Sequence, residues 1–197
     1  NQAGHQVNGW VEAWTSKQLC RSRIPGILGG DHAVPLGAWR AALRRNPGMG
    51  FLHVDAHADL REAYEGFTFS HASILYNLLQ EDNVGPIIQV GIRDQCEEER
   101  ERALADPHIT QVLDAELAMA MASGENWRDL MNEALKPLPQ HVWITFDVDG
   151  LQPSLCPNTG TPVPGGLSWS QACVLLNLLG RSGRTIVGFD LCEVGAE

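Results

Sequence analysis

Three short stretches hold side chains that bind cations and carry protons: Gly29-Gly30-Asp31-His32, Asp55-Ala56-His57-Ala58-Asp59 and Asp147-Val148-Asp149. In an extended segment, side chains two and four residues apart point the same way. Asp55, His57 and Asp59 would then share one face, and Asp147 and Asp149 another. Like charges gathered at one site repel strongly unless a cation compensates them. A mixture of imidazole and carboxylate suits Mn²⁺, Zn²⁺, Fe²⁺ or Ni²⁺ better than Ca²⁺ or Mg²⁺. Four aspartates and two histidines exceed what one metal with an open position needs. His32, Asp55, His57, Asp59, Asp147 and Asp149 are therefore read as ligands of two metals that share carboxylates. A single Asp-x-Asp is weak ground for a metal, and a lone His in a glycine-rich turn more often hydrogen-bonds locally. Asp-x-His-x-Asp behind an apolar run is more specific, and the three clusters together carry the reading. His53, ahead of Asp55, is taken as structural and out of phase with the ligand face.

Each cluster follows a short apolar run, and a parallel α/β sheet places its sites outside the carboxyl ends of its strands. Strands are expected at Ile24–Leu28, Met49–Val54, Ile87–Val90, Ile109–Leu113, Val142–Phe146 and Ile186–Leu191. Helical spacing covers Val34–Arg45, His71–Gln80, Glu97–Ala105, two stretches within Ala115–Lys136, and Ser168–Leu179 with Ser168 as N-cap. The alternation is the βαβ rhythm of a parallel sheet. No element is assigned before Ile24. A Pro/Gly-rich loop fills Leu151–Leu167, and the charged run from Glu97 to Arg102 reads as a solvated helix face. The six tryptophans follow no motif and read as core or interface packing.

At 197 residues the chain suits one domain, residues 1–197. A net charge of −10 speaks against nucleic acid and against an anionic membrane surface as partners. No apolar stretch reaches the roughly 18–20 residues that cross a bilayer. The start, Asn1-Gln2-Ala3-Gly4-His5, has neither the basic nor the apolar region of a secretory signal, and it lacks an initiator Met. Five scattered cysteines without a Cys-x-x-Cys pair read as free thiols of a reducing compartment, the cytoplasm. Both ends look cut, since a parallel sheet normally covers its last strand with another helix.

The motifs resemble the ureohydrolase superfamily, which includes arginase, agmatinase, guanidinobutyrase and formiminoglutamase. The matches are Gly-Gly-Asp-His at 29–32, Asp-Ala-His-Ala-Asp at 55–59 and Phe-Asp-Val-Asp-Gly-Leu-Gln-Pro-Ser at 146–154, continuing through Thr159 to Leu167. The resemblance implies a three-layer α/β/α sandwich around a mainly parallel, arginase-like sheet, here as an incomplete fragment of the domain. It implies two Mn²⁺ ions, one held by His32, Asp55, Asp59 and Asp147 and the other by Asp55, His57, Asp147 and Asp149, with Asp55 and Asp147 bridging. The implied chemistry is metal-assisted hydrolysis, in which the cations supply hydroxide near neutral pH to attack a guanidinium carbon. Asp59 would pass a proton to the departing amine. Glu193 would pair with the guanidinium, His71 would shuttle protons, and Thr161 would line the substrate. The resemblance also implies a homo-oligomer, trimer or hexamer.

Where arginases carry Ser-Gly-Asn before the shuttle histidine, this chain reads Glu65-Gly66-Phe67-Thr68-Phe69-Ser70, closer to the agmatinase branch. With no cation there to meet a carboxylate, agmatine or another small cationic guanidino compound ranks above arginine. The alternatives are arginase or formiminoglutamase-type hydrolysis, or a catalytically silent, metal-binding regulatory homologue. The intact set of ligands, with Glu193 and His71, disfavours the silent homologue.

Overall fold

The computed structural model describes residues 1–195. Six strands, β1 Gly26–Leu28, β2 Gly50–Val54, β3 Ile87–Ile92, β4 Ile109–Leu113, β5 His141–Asp147 and β6 Thr185–Cys192, form one sheet. The order is β1-β6-β5-β2-β3-β4, and every pairing is parallel. β2 and β3 are buried along their whole length, which is why their runs are mainly apolar, with His53 and Gln89 as the polar exceptions. Alternate residues feed two separate cores. Phe51, Ile87, Trp143 and Val187 pack under α1 (Gln2–Cys20), α2 (Leu36–Arg45), α3 (Ile74–Leu78) and α4 (Glu97–Ala105). Leu52, Val54, Ile88, Val90 and Val142 pack under α5 (Asp114–Ala122), α6 (Trp127–Ala134) and α7 (Trp169–Arg181). The result is the expected three-layer α/β/α sandwich, and each large apolar side chain so buried contributes about 1.5–3 kcal/mol.

Several elements differ from expectation for physical reasons. α1 has no counterpart in the sequence reading, because its buried line of Asn8, Val11, Thr15 and Leu19 is half polar and shows no apolar stripe. It docks instead by close approach: a Cβ on Gly37 of α2 would lie 2.1 Å from the Asn8 carbonyl oxygen. The expected helix from His71 is a 3₁₀ turn at His71–Ser73 that leads into α3. The charged run of α4 is not solvated throughout. Glu99 is buried and accepts from the backbone N–H groups of Leu60 and Cys96. Ser168 does cap α7, in a reciprocal box with Gln171.

Candidate metal centre

Strands β1, β6, β5 and β2 are consecutive neighbours, and the segments leaving their carboxyl ends carry His32, Glu193, Asp147 with Asp149, and Asp55 through Asp59. The six candidate ligands meet there, but not by strand alternation. β2 ends at Val54, and Asp59 has a left-handed backbone with φ 56°. Residues two apart diverge into two groups instead of sharing one face. His32 Nδ1 lies 3.2 Å from Asp55 Oδ2, 3.3 Å from Asp59 Oδ2 and 3.3 Å from Asp147 Oδ2. His57 Nδ1 lies 3.1 Å from Asp149 Oδ2 and 3.4 Å from Asp55 Oδ1. Asp55 therefore turns one oxygen to each group. Asp147 faces His32 with Oδ2, while its Oδ1 accepts from the Asp149 N–H at 2.8 Å.

These residues fit a metal. Donor atoms bound at 2.0–2.2 Å to one transition metal sit roughly 3 Å apart. His32 Nδ1 and Asp59 Oδ2 are buried without a hydrogen-bond partner, the condition of atoms arranged for a cation. Proton affinities point the same way. Burial, reinforced by the charge of Asp55, pushes Asp147 up to about 9 and Asp59 up to about 6. Burial would lower His57, but hydrogen bonds to Asp149 and Asp55 lift it to about 11. Burial would raise Asp55, yet the charge of His53 and its close contacts with His53 and His57 hold it well below the carboxylate range. Protons thus stand in for positive charge that the cluster requires.

A network behind the ligands orients them. The Thr145 hydroxyl donates to Asp190 Oδ1 at 2.8 Å, so its oxygen can only accept from His32 Nε2, also at 2.8 Å. That leaves Nδ1 of His32 aimed at the three carboxylates. Asp190 Oδ2 accepts from the indole N–H groups of Trp39 and Trp143, at 2.9 and 2.6 Å. A β-bulge at Val187 sets Gly188 opposite Trp143, whose ring fills the space where a Cβ would be. His53 proves to be in phase with Asp55 and touches its Oδ2 at 2.9 Å, while Gln89 Nε2 donates to His53 Nδ1 at 3.0 Å. Thr145, Asp190, Gln89 and the two indoles escaped the sequence reading. The one signal for Thr145, Asp190 and Gln89 was a polar residue interrupting a mainly apolar strand.

Of the other candidates, His71 and Thr161 line an open cleft of about 150 Å³ together with His57, Asp59 and Tyr64, while Glu193 lies beside Asp31 and His71. Thr161 Oγ1 donates to Asp149 Oδ2 at 3.1 Å. His71 Nδ1 lies 3.2 Å from Asp31 Oδ2, and that hydrogen bond raises the imidazole against the effect of burial. Glu193 Oε1 accepts from the His32 N–H at 2.8 Å, and Glu193, like Asp59, holds a left-handed backbone, with φ 62°. Such conformations are costly for residues other than glycine and gather at functional sites. Tyr64, stacked edge-on 5.5 Å from the His71 ring, carried no sequence signal.

One parallel sheet between two helical layers, with clustered His and Asp donors at its carboxyl edge that could hold metal ions, defines the class of this α/β chain. The arginase family model matches residues 3–197, and the chain belongs to that family. It is 38% identical over 168 residues to an N(1)-aminopropylagmatine ureohydrolase of Thermus thermophilus, covering 85% of this chain and 53% of that protein. It is 32% identical over 186 residues to an agmatinase of Halalkalibacterium halodurans, covering 93% of this chain and 60% of the relative. The solved agmatine ureohydrolase of Thermoplasma volcanium superposes with a TM-score of 0.79 at 27% identity, over 98% of this chain and 61% of that one. Arginase from Bacillus cereus gives 0.86 at 23% identity, over 98% and 70%, a likeness of fold alone. The chain spans 53–60% of the length of these curated relatives.

Proposed function

We propose that the whole protein is a binuclear-metal amidinohydrolase that splits the guanidinium group of a small, agmatine-like compound into an amine and urea. The observation that carries this reading is Asp55, which turns one oxygen to the His32 group and the other to the His57 group. In this reading His32, Asp55, Asp59 and Asp147 hold one Mn²⁺, and Asp55, His57, Asp147 and Asp149 the other. The same donors would take Ni²⁺. When bound, the metals supply a water acidic enough to act as nucleophile near neutral pH. Glu193 pairs with the guanidinium and holds its carbon at the cluster. Asp59 would take up the proton released by the attacking water and pass it to the departing amine. His71, half exposed at the cleft mouth and held by Asp31, exchanges protons with solvent, and Thr161 lines the substrate.

The names of the relatives support a cationic guanidino substrate. One observation favours a second reading: Arg61 lines the cleft and could meet the carboxylate of arginine or 4-guanidinobutyrate. It is engaged, 3.5 Å from Glu99 and over the Tyr64 ring, which keeps agmatine first. The deciding assay is urea release by the full-length, metal-loaded protein from agmatine, N(1)-aminopropylagmatine, arginine, 4-guanidinobutyrate and guanidine. Turnover of the amine-bearing compounds above the carboxylates is expected, and the reverse order would select the Arg61 reading. Asp147→Asn should cut turnover by on the order of a thousandfold or more. A fully active variant would remove Asp147 from the proposed ligand set. We also propose a cytoplasmic homo-oligomer, trimer or hexamer, in line with five free thiols. A full-length protein that scatters light as a monomer would contradict the oligomer.

A further inference from the structure

The loop Leu151–Leu167 carries Thr161 to the metal centre without regular secondary structure of its own. Its neck is closed by hydrogen bonds from Gln152 N–H to Leu167 O and from Leu167 N–H to Gly150 O, both 3.0 Å. Into that neck runs Arg93, just after β3. Its Nη2 donates to the carbonyls of Asp149 at 2.6 Å, Val163 at 3.0 Å and Leu151 at 3.3 Å. Its Nε reaches Val163 O at 3.3 Å, and Nη1 reaches Gly91 O at 3.0 Å. Among the described residues no carboxylate lies within ion-pair distance of it, so the charge is spent on backbone carbonyls alone. The loop is shaped around the guanidinium. Gly165 and Gly166 have φ of 98° and 91°, and a Cβ on Gly166 would lie 2.8 Å from Arg93 Nη2.

We propose that Arg93 is a positioning residue that clamps the Thr161 loop to the backbone of Asp149 and so holds Thr161 in place at the substrate cleft. Charge-assisted bonds from one planar fork join strand end, ligand segment and loop, a span that a lysine with a single nitrogen cannot reproduce. The kinetic half of this proposal rests on the hydrolase reading, and the structural half does not.

The test uses full-length wild type, Arg93→Lys and Arg93→Gln. In metal-free protein, hydrogen exchange should quicken on the order of tenfold or more at loop amides such as Leu155, Thr159 and Leu167, while β2 amides stay protected. In loaded protein, KM should rise about tenfold with kcat changed far less, and Arg93→Lys should fall between the other two. Loop exchange left unchanged, or quickened equally in β2, would overturn the clamp, as would an unchanged KM in both variants. If wild type releases urea from no guanidino compound, the hydrolase reading fails while the exchange comparison still decides the clamp.

Discussion

In the proposed metal centre, His32 is held in orientation from behind. Its Nε2 is tied to Thr145, Thr145 to Asp190, and Asp190 to two indoles, so the lone pair of Nδ1 has one direction to face. Thr145→Val should weaken metal binding about 10- to 100-fold, measured by competition with a chromogenic chelator, since outer partners of metal ligands carry effects of that size. An unchanged affinity would reduce the network to packing. A second expectation concerns pH. In the metal-free protein Asp147 keeps its proton up to about 9, against 3.8 for an ordinary Asp, and His57 up to about 11 against 6.5. The folded state then binds more protons than the unfolded one, so both contributions are fully present below the ordinary values and are lost as pH rises through the raised ones. A metal must displace those protons, so its affinity should grow with pH. Melting of metal-free and loaded protein from about pH 5 to about pH 9 should show a widening gap, and a constant gap would refute the linkage. The candidate ligands were legible because chemistry restricts them to His and Asp at fixed spacing. Asp190 and Thr145 were not, because one polar residue in a strand has many possible roles.

At the scale of elements, strand ends were legible and the paths between them were not. β2 and β5 announced themselves by mainly apolar runs, whereas the divergence of His57 from Asp55 depends on a chain that leaves the strand and enters a left-handed turn at Asp59. α1 stayed hidden because its contact with α2 is made through Gly37 and buried polar residues rather than an apolar stripe. The bulge in β6 was equally silent, although Gly188 marks it. Gly188→Ala would drive a methyl into Trp143, 2.1 Å from its ring, and should destabilise the protein by about 1–3 kcal/mol in denaturant titrations. Metal affinity should fall with it, because the displaced indole holds Asp190. Ser168→Ala, removing the cap of α7 far from the centre, should cost about 1 kcal/mol and leave metal affinity unchanged. Equal effects of the two on metal binding would contradict the assigned division between site support and scaffold.

Across the whole molecule, the sheet order joins clusters that lie more than a hundred residues apart in the chain, as His32 and Asp147 do. The three-layer architecture was legible from the alternation of runs and helices, since burying both sheet faces leaves few other solutions. With Asp55, Asp59, Asp147 and Asp149 gathered at the carboxyl edge of the sheet, a cation bound there would stabilise the fold. The measurement closest to the central claim is elemental analysis of the full-length protein, purified after growth with Mn²⁺ and set beside an Asp55→Ala variant. About two transition-metal ions per chain are expected in the wild type, and a loss from both positions when Asp55 is removed. Wild-type protein without metal, or an Asp55→Ala variant that keeps both ions, would contradict a centre built on that shared carboxylate.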